Sequence, residues 1–213
     1  MHNVNSPSPN FRLAIAPGVP SSRFSALLAL QREQEPEVAI ALSEVSGEAL
    51  IAELREGRYD AGMSLHGGVG SSLNSQPLWR ERMAAAMPLR YPLLNRARLT
   101  IDDLLDYPVF RWPTEVCPAL DQRMSSCSPG HPRDIRDVTS FELMALWVAA
   151  GYGVGVSAQS RIARARAWGI CLRPLPDDPC EIVTHLLLPA EHHTSAAERF
   201  MRRALQVAET DTT

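Results

Sequence analysis

The chain has no lysine: its basic charge is carried by 21 arginines, scattered along the sequence rather than gathered into a run. A surface that neutralises many phosphates needs clustered cations, and with 24 acidic residues the net charge is −3; that balance argues against nucleic-acid binding by these residues themselves. Cysteine is scarce. Cys117, Cys127, Cys171 and Cys180 show neither CxxC spacing nor a paired histidine cluster, so no metal site is expected. No apolar run approaches the ~18 residues of a membrane span, and MHNVNSPSPN lacks the basic and apolar segments of a secretory leader. The expectation is a cytoplasmic chain with reduced thiols. What remains is ordinary globular composition, 45% hydrophobic and 21% charged over 213 residues, enough for one domain or two lobes of about 100 residues each.

What the chain does contain is a repeated strand, loop, helix grammar. RLAIA (12–16) predicts a buried strand, and PGVPSS turns the chain into SRFSALLALQREQ. There Phe24, Leu27, Leu28 and Gln31 recur at i, i+3, i+4 and i+7, the spacing of an amphipathic helix, capped by Ser21 or Ser22. The pattern then repeats. EVAIALS (37–43) reads as a strand, EVSG as a loop, and EALIAELREG as a helix with Leu50, Ile51 and Leu54 inward and Gly57 at C′. YDAGMSL (59–65) is a third strand. Strands joined by helices of this length pair in parallel with right-handed crossovers.

Beyond the Gly/Ser-rich HGGVGSSLNSQ, PLWRERMAAAMP predicts a strand and TIDDLLDYP a short helix with Thr100 and Asp103 at capping-box spacing. VFRWP (109–113) and DIRDV (134–138) read as strands, with CPALDQRMSS as a helix. TSFELMALWVAAG predicts a helix opened by a box of Thr139 and Glu142, with Phe141, Ala145, Leu146 and Ala149 along one face. VAAGYGVGVSAQS (148–160) alternates glycines as a dinucleotide loop does. Such a loop must follow a strand and open a helix, whereas these glycines follow a helix and precede a strand. Gly151 is therefore read as a left-handed helix stop, and Gly153 and Gly155 as points of close packing. No nucleotide cofactor is expected, since no acidic residue about 20 positions on is placed to bind a ribose. A helix around SRIARARAWG, strands CLRPLP and EIVTHLLLP, and a final helix SAAERFMRRALQVA with a Ser195/Glu198 capping box complete the chain. The predicted class is α/β, with two Rossmann-like lobes and a central cleft: residues 10–79 plus 180–213, and residues 80–179.

Taken in order, RLAIA with its Pro/Gly-Ser turn, EPEVAIAL, LREGRYDAGMSL, YPLLNRARLTIDDLLDYPVF and SFELMALWVAAGYGVGV resemble the effector-binding domain of LysR-type transcriptional regulators. The resemblance covers about residues 11 to 209, and the chain departs from the family at Ser157-Ala158-Gln159, where Leu-Pro is common after the glycine turn. It implies a type 2 periplasmic-binding-protein-like fold and a noncovalently bound small-molecule effector, with no cofactor and no catalysis. It also implies DNA contact only through an N-terminal winged helix-turn-helix that is not among these residues. A homodimer, tetrameric in the full-length form, is implied too, with helices paired across an antiparallel interface through Phe24, Leu27, Leu28, Met144 and Trp147. A stand-alone solute-binding protein of the same fold is the alternative.

Candidate ligand residues are those expected at strand ends and helix starts. Ser21 and Ser22, Ser46 and Gly47, and Thr139 and Ser140 open helices, whose free N–H groups favour anions. Ser64 and His66 end the third strand. Arg111 can pair a carboxylate bidentately, and Trp112 can cover an aromatic ring. Each has a purely structural counterpart as a cap, a core side chain or a surface group. Cys117 or Cys127 with His131 forms no recognisable nucleophile motif, and His192 and His193 are expected to be solvent-exposed without a function.

Overall fold

A computed structural model of the protein describes residues 10–68, 70–127, 134–175, 180–191 and 194–209. The leader before Asn10, His131, His192 and His193 lie outside the described residues. The chain forms two compact units, Met1–Trp79 with Thr184–Thr213, and Arg80–Val183; they are unit 1 and unit 2 below.

Unit 1 begins β1 (Asn10–Ile15), α1 (Ser21–Gln34), β2 (Ala39–Glu44), α2 (Gly47–Arg55), β3 (Ala61–Ser64). β1 is central, parallel to β2 on one side and to β3 on the other, the parallel pairing that helical connections allow. β9 (Glu181–Pro189) adds antiparallel to β3 and α7 (Ser195–Glu209) closes the unit. α2 lies directly on β3 because Gly62 has no side chain: a Cβ there would stand 2.6 Å from Leu50 Cδ1. On another surface of the sheet, Phe11, Leu27, Met63, Trp79, Leu186 and Phe200 form one apolar cluster, with the Phe11 and Phe200 rings 4.9 Å apart.

The α1–α7 contact also contains charge. Arg203, 7% exposed, donates to Gln31 (2.9 Å), Glu35 (3.1 Å) and Gln34 (2.9 Å). Arg199 donates to the other Glu35 oxygen. Burial works against the Glu35 charge, but hydrogen bonds from Arg203, Gln31 and Arg199 outweigh it and lower its carboxyl to about 2. A buried cation and anion are tolerable only when satisfied together in this way.

Unit 2 is built on β4 (Leu73–Pro88), which starts in unit 1. Its strand opens at Leu73, so LNSQ belongs to a strand and not to the Gly/Ser-rich connection. The order continues α3 (Ile101–Leu105), β5 (Val109–Arg111), α4 (Pro118–Ser126), β6 (Ile135–Asp137), α5 (Phe141–Ala149), β7 (Val154–Ala158), α6 (Gln159–Arg164) and β8 (Ile170–Pro174). β5 is parallel to β6 and β7, while β4 runs antiparallel between β7 and β8. The Thr100/Asp103 capping box is formed. Gly151 ends α5 with φ +83°, and a Cβ on Gly153 would meet the Pro108 carbonyl oxygen at 2.2 Å.

Three helix starts differ from the sequence expectation. Pro20 is the residue before α1, with φ −66° and ψ 135°; its fixed ring supplies the extended geometry of a cap, so Ser21 and Ser22 become the first helical residues. For α5 the cap is Ser140, whose Oγ accepts from the Leu143 N–H at 3.1 Å. The Val138 N–H is bonded to the Arg111 carbonyl, which leaves Thr139 outside the helix. For α7 the Thr194 Oγ accepts from the Ala197 N–H at 3.1 Å, ahead of Ser195. The inward face of α5 is Phe141, Met144, Ala145 and Val148; Leu146 is 64% exposed.

Candidate functional site

In unit 1 the predicted residues gather at the C-terminal ends of the parallel strands. The Ala16 N–H donates to the Met63 carbonyl at 2.8 Å and the Val45 N–H to Ile15 at 3.1 Å, so the segments leaving β1, β2 and β3 start side by side. Ser22 stands in the first turn of α1, half-buried; nothing is described of the Ser21 side chain. Ser46 caps α2, its Oγ accepting from the Ala49 N–H at 3.2 Å, and Gly47 follows with open space where a side chain would be. Ser64 is buried and its Oγ accepts from the His66 N–H at 3.0 Å. The His66 ring Nε2 lies 3.1 Å from the Gly68 carbonyl, a partner that requires the tautomer carrying its proton there.

In unit 2 the same strand-end placement holds for Arg111, Trp112, Thr139 and Ser140. Arg111 ends β5 at 7% exposure, and its carbonyl accepts from Val138 just before Thr139 and Ser140. Its guanidinium is engaged by the chain itself. Nη1 is 2.7 Å from Asp121 Oδ1, Nε is 3.5 Å from Asp137 Oδ1, and Nη2 donates to Thr114 Oγ1 at 3.3 Å. The Asp121 contact is an ion pair off the N–H direction, since among the described residues neither Nη1 nor Nε has an aligned hydrogen-bond acceptor. Trp112 is 4% exposed and its ring face is covered by the guanidinium of Arg161, 5.6 Å from the ring centroid. A ring so covered is not the open aromatic platform that the sequence suggested.

Other features lie elsewhere. A pocket of about 550 Å³ in unit 1 is lined by Arg12, Arg55, Tyr59, Asp60, Ser72 and Thr194, among others. It sits at the opposite ends of β1 and β3 from the predicted residues, and its Arg12 and Asp60 already satisfy each other at 2.9 Å. Cys117 is buried, and burial pushes its thiol up, the opposite of an activated nucleophile. Among the described residues no group of three His, Cys, Asp or Glu side chains is placed to hold a metal, and no helix is long and apolar enough to cross a membrane.

The residues expected at a dimer contact divide. Phe24, Leu27 and Met144 are 7%, 0% and 1% exposed; these apolar groups are used inside the chain's own cores and are not surplus surface, the correction being the depth of the packing. Leu28 is half-buried against the unit 1 cluster. Trp147 is 37% exposed, stacked on Phe110 at 6.0 Å. Sequence reasoning missed Arg161, which it passed over within the helix around SRIARARAWG. Its relation to Trp112 and Phe141 depends on the pairing of β5 with β7, which no local pattern encodes.

The architecture is that of a two-unit α/β binding fold with polar residues collected at parallel strand ends. The chain belongs to the LysR substrate binding domain family, whose model matches residues 5–209. It is 28% identical over 127 residues to the HTH-type transcriptional regulator AlsR of Bacillus subtilis (strain 168), covering 58% of this chain and 42% of AlsR. It is 26% identical over 135 residues to the HTH-type transcriptional regulator BenM of Acinetobacter baylyi (strain ATCC 33305 / BD413 / ADP1), covering 61% of this chain and 44% of BenM. The matches thus span less than half the length of either relative. Its fold is that of the BenM effector binding domain with its effector benzoate, with TM-score 0.83, 18% identity and coverage of 97% of this chain and 95% of that one. The effector binding domain of QuiR in complex with shikimate is similarly close, with TM-score 0.84, 14% identity and coverage of 97% and 100%.

Proposed function

We propose that this chain is the effector-sensing part of a LysR-type transcriptional regulator: it binds a small organic acid noncovalently and passes the occupancy to a DNA-binding part. The observation that carries this reading is the placement of Ser46, Ser64, Trp112, Thr139 and Ser140 at the C-terminal ends of parallel strands in their respective units, where α/β sheets take ligands. Family membership supports it, and so do the neighbours that hold benzoate and shikimate, both carboxylates. Signalling requires the effector to prefer one arrangement of the protein, because equal affinity for two states shifts nothing. The exposed Leu146 and Trp147 on α5 support a homodimer built on that helix.

The test is a thermal-unfolding screen against organic acids, with mass spectrometry of each compound afterwards. At a hundred times its Kd a ligand stabilises by about 2.7 kcal/mol, on the order of 5–10 °C for a chain of this size. A shift with the compound unchanged is the expected result; a converted compound overturns the reading. Light scattering at micromolar concentration is expected to give twice the chain mass, and a monomer removes the dimer from the proposal.

A further inference from the structure

Unit 1 holds a second cavity, which neither the strand-end residues nor the α1–α7 ion pair uses. It has a volume of about 510 Å³ and lies between the start of β4 and α7, with Leu188 of β9 in its wall, a size within the range of small-molecule pockets. Ser75 and Gln76 both line it although they are adjacent. Successive residues of a strand face opposite sides of a sheet, so the cavity runs along the edge of β4. That edge is open among the described residues: β4 stands between β9 and β7, and its pairs with β7 begin only at Met83. Pro77 agrees, because a residue without an N–H is tolerated at a strand edge.

α7 divides its charges between two sides. Arg199 and Arg203 face α1, where both donate to Glu35. Glu198 and Arg202 line the cavity instead, one turn apart, a spacing at which a glutamate and an arginine ordinarily pair. Here no ion pair or side-chain hydrogen bond engages either of them among the described residues. The Ser75 hydroxyl is 3.1 Å from His185 Nδ1, and Gln76 Nε2 donates to the Pro77 carbonyl at 3.1 Å. Those groups are occupied, so Glu198 and Arg202 are the charges an incoming molecule meets. Beside them stand Leu188, 3% exposed, and the half-buried Met201, whose unbranched chain adapts to the shape of what it covers.

We propose that this cavity binds a free α-amino acid with an apolar side chain: its carboxylate on Arg202, its ammonium on Glu198 and its side chain against Leu188 and Met201. An α-amino acid carries its two charges on one carbon, which suits a cation and an anion one helical turn apart. The planar guanidinium takes a carboxylate through two parallel N–H donors. A simple acid would meet Glu198 as a like charge, and a simple amine would meet Arg202 in the same way, so each is rejected by a group that the zwitterion satisfies. The site lies apart from the strand-end residues and does not depend on the effector reading above.

The test is calorimetric titration of the whole chain with leucine and methionine, beside isocaproate and isoamylamine, which are leucine without its ammonium and without its carboxylate. Leucine is expected to bind more tightly than either fragment. Arg202→Gln should lower leucine affinity roughly 3- to 10-fold, the value of one partly exposed charge-assisted contact, and bring leucine close to isoamylamine. Glu198→Gln should lower it by a similar factor and bring leucine close to isocaproate. Both side chains are exposed, so Tm stays level in each variant and a loss of binding is not a loss of fold. Binding of neither amino acid overturns the proposal, and so does equal affinity of the native chain for leucine and isocaproate. Leucine binding that neither substitution weakens overturns it too, and its loss in Ser46→Ala would assign the amino acid to the strand-end residues.

Discussion

The two units use buried arginine in different ways. In unit 1, Arg203 sits inside the α1–α7 contact, held by Gln31, Gln34 and Glu35 from a single helix, and its role is to dock that helix. In unit 2, Arg111 stands at a strand end, neutralised by Asp121 and Asp137, while the half-buried Arg161 of α6 lies over Trp112 and Phe141. The lesson is that burial of a cation says little about function until its partners are counted.

Seven substitutions sharpen the contrast, beginning with the largest effect. Gly153→Val in unit 2 places a side chain against the Pro108 carbonyl, with the Cβ alone at 2.2 Å, and should cost roughly 4 kcal/mol or more, since backbone must move. Gly57→Ala in unit 1 meets nothing within 4 Å and is strained only by φ +70°, a cost of about 1–2 kcal/mol. Urea midpoints of the two variants measure the difference, and equal losses would remove the distinction between crowding and conformation.

Glu35→Ala should cost about 3–5 kcal/mol because Arg203 is left buried without its anion. The same carboxyl predicts a pH dependence. Its folded value of about 2 lies below the ordinary 4.5, so the folded state binds fewer protons. The stabilisation is therefore full above about 4.5 and is lost as pH falls toward 2. Chemical denaturation from pH 6 down to pH 2 should show that loss in the native chain, and Glu35→Gln should flatten it. A Glu35→Gln curve as steep as the native one would mean that other carboxylates carry the acid sensitivity.

Arg111→Met should cost less, about 1–3 kcal/mol, because its partner Asp121 keeps 32% side-chain exposure and can be hydrated when released. A loss as large as that of Glu35→Ala would show the two buried arginines to be equivalent. The smallest effects are those of the caps. Ser46→Ala and Ser140→Ala each remove one hydrogen bond to a helix N–H, worth about 1 kcal/mol, and paired thermal melts should find them nearly equal.

Much of the architecture was legible because it is written in local periodicity. Apolar runs of four to six residues, helical spacing in the α2 segment and glycine at helix ends predicted the alternating α/β order, and LREGRYDAGMSL with SFELMALWVAAGYGVGV carried the family. The errors fell on register. Pro20, Ser140 and Thr194 took the places expected for a neighbouring residue, because Ser and Thr compete as caps and only the backbone path chooses among them. α5 is apolar nearly all round, so its sequence could not say that Leu146 faces out while Met144 and Val148 face in.

The sequence by itself determined the class of protein, the parallel strand pattern and the set of hydroxyls that stand at strand ends, since each depends on spacing within about a dozen residues. Only the tertiary structure decided what each of these arginines meets. That depends on which carboxylates and rings are brought beside them from distant positions: Asp121 and Asp137 to Arg111, Glu35 to Arg203, and Trp112 and Phe141 to Arg161. Charge acts through space, and the sequence order of these groups does not reveal their separation.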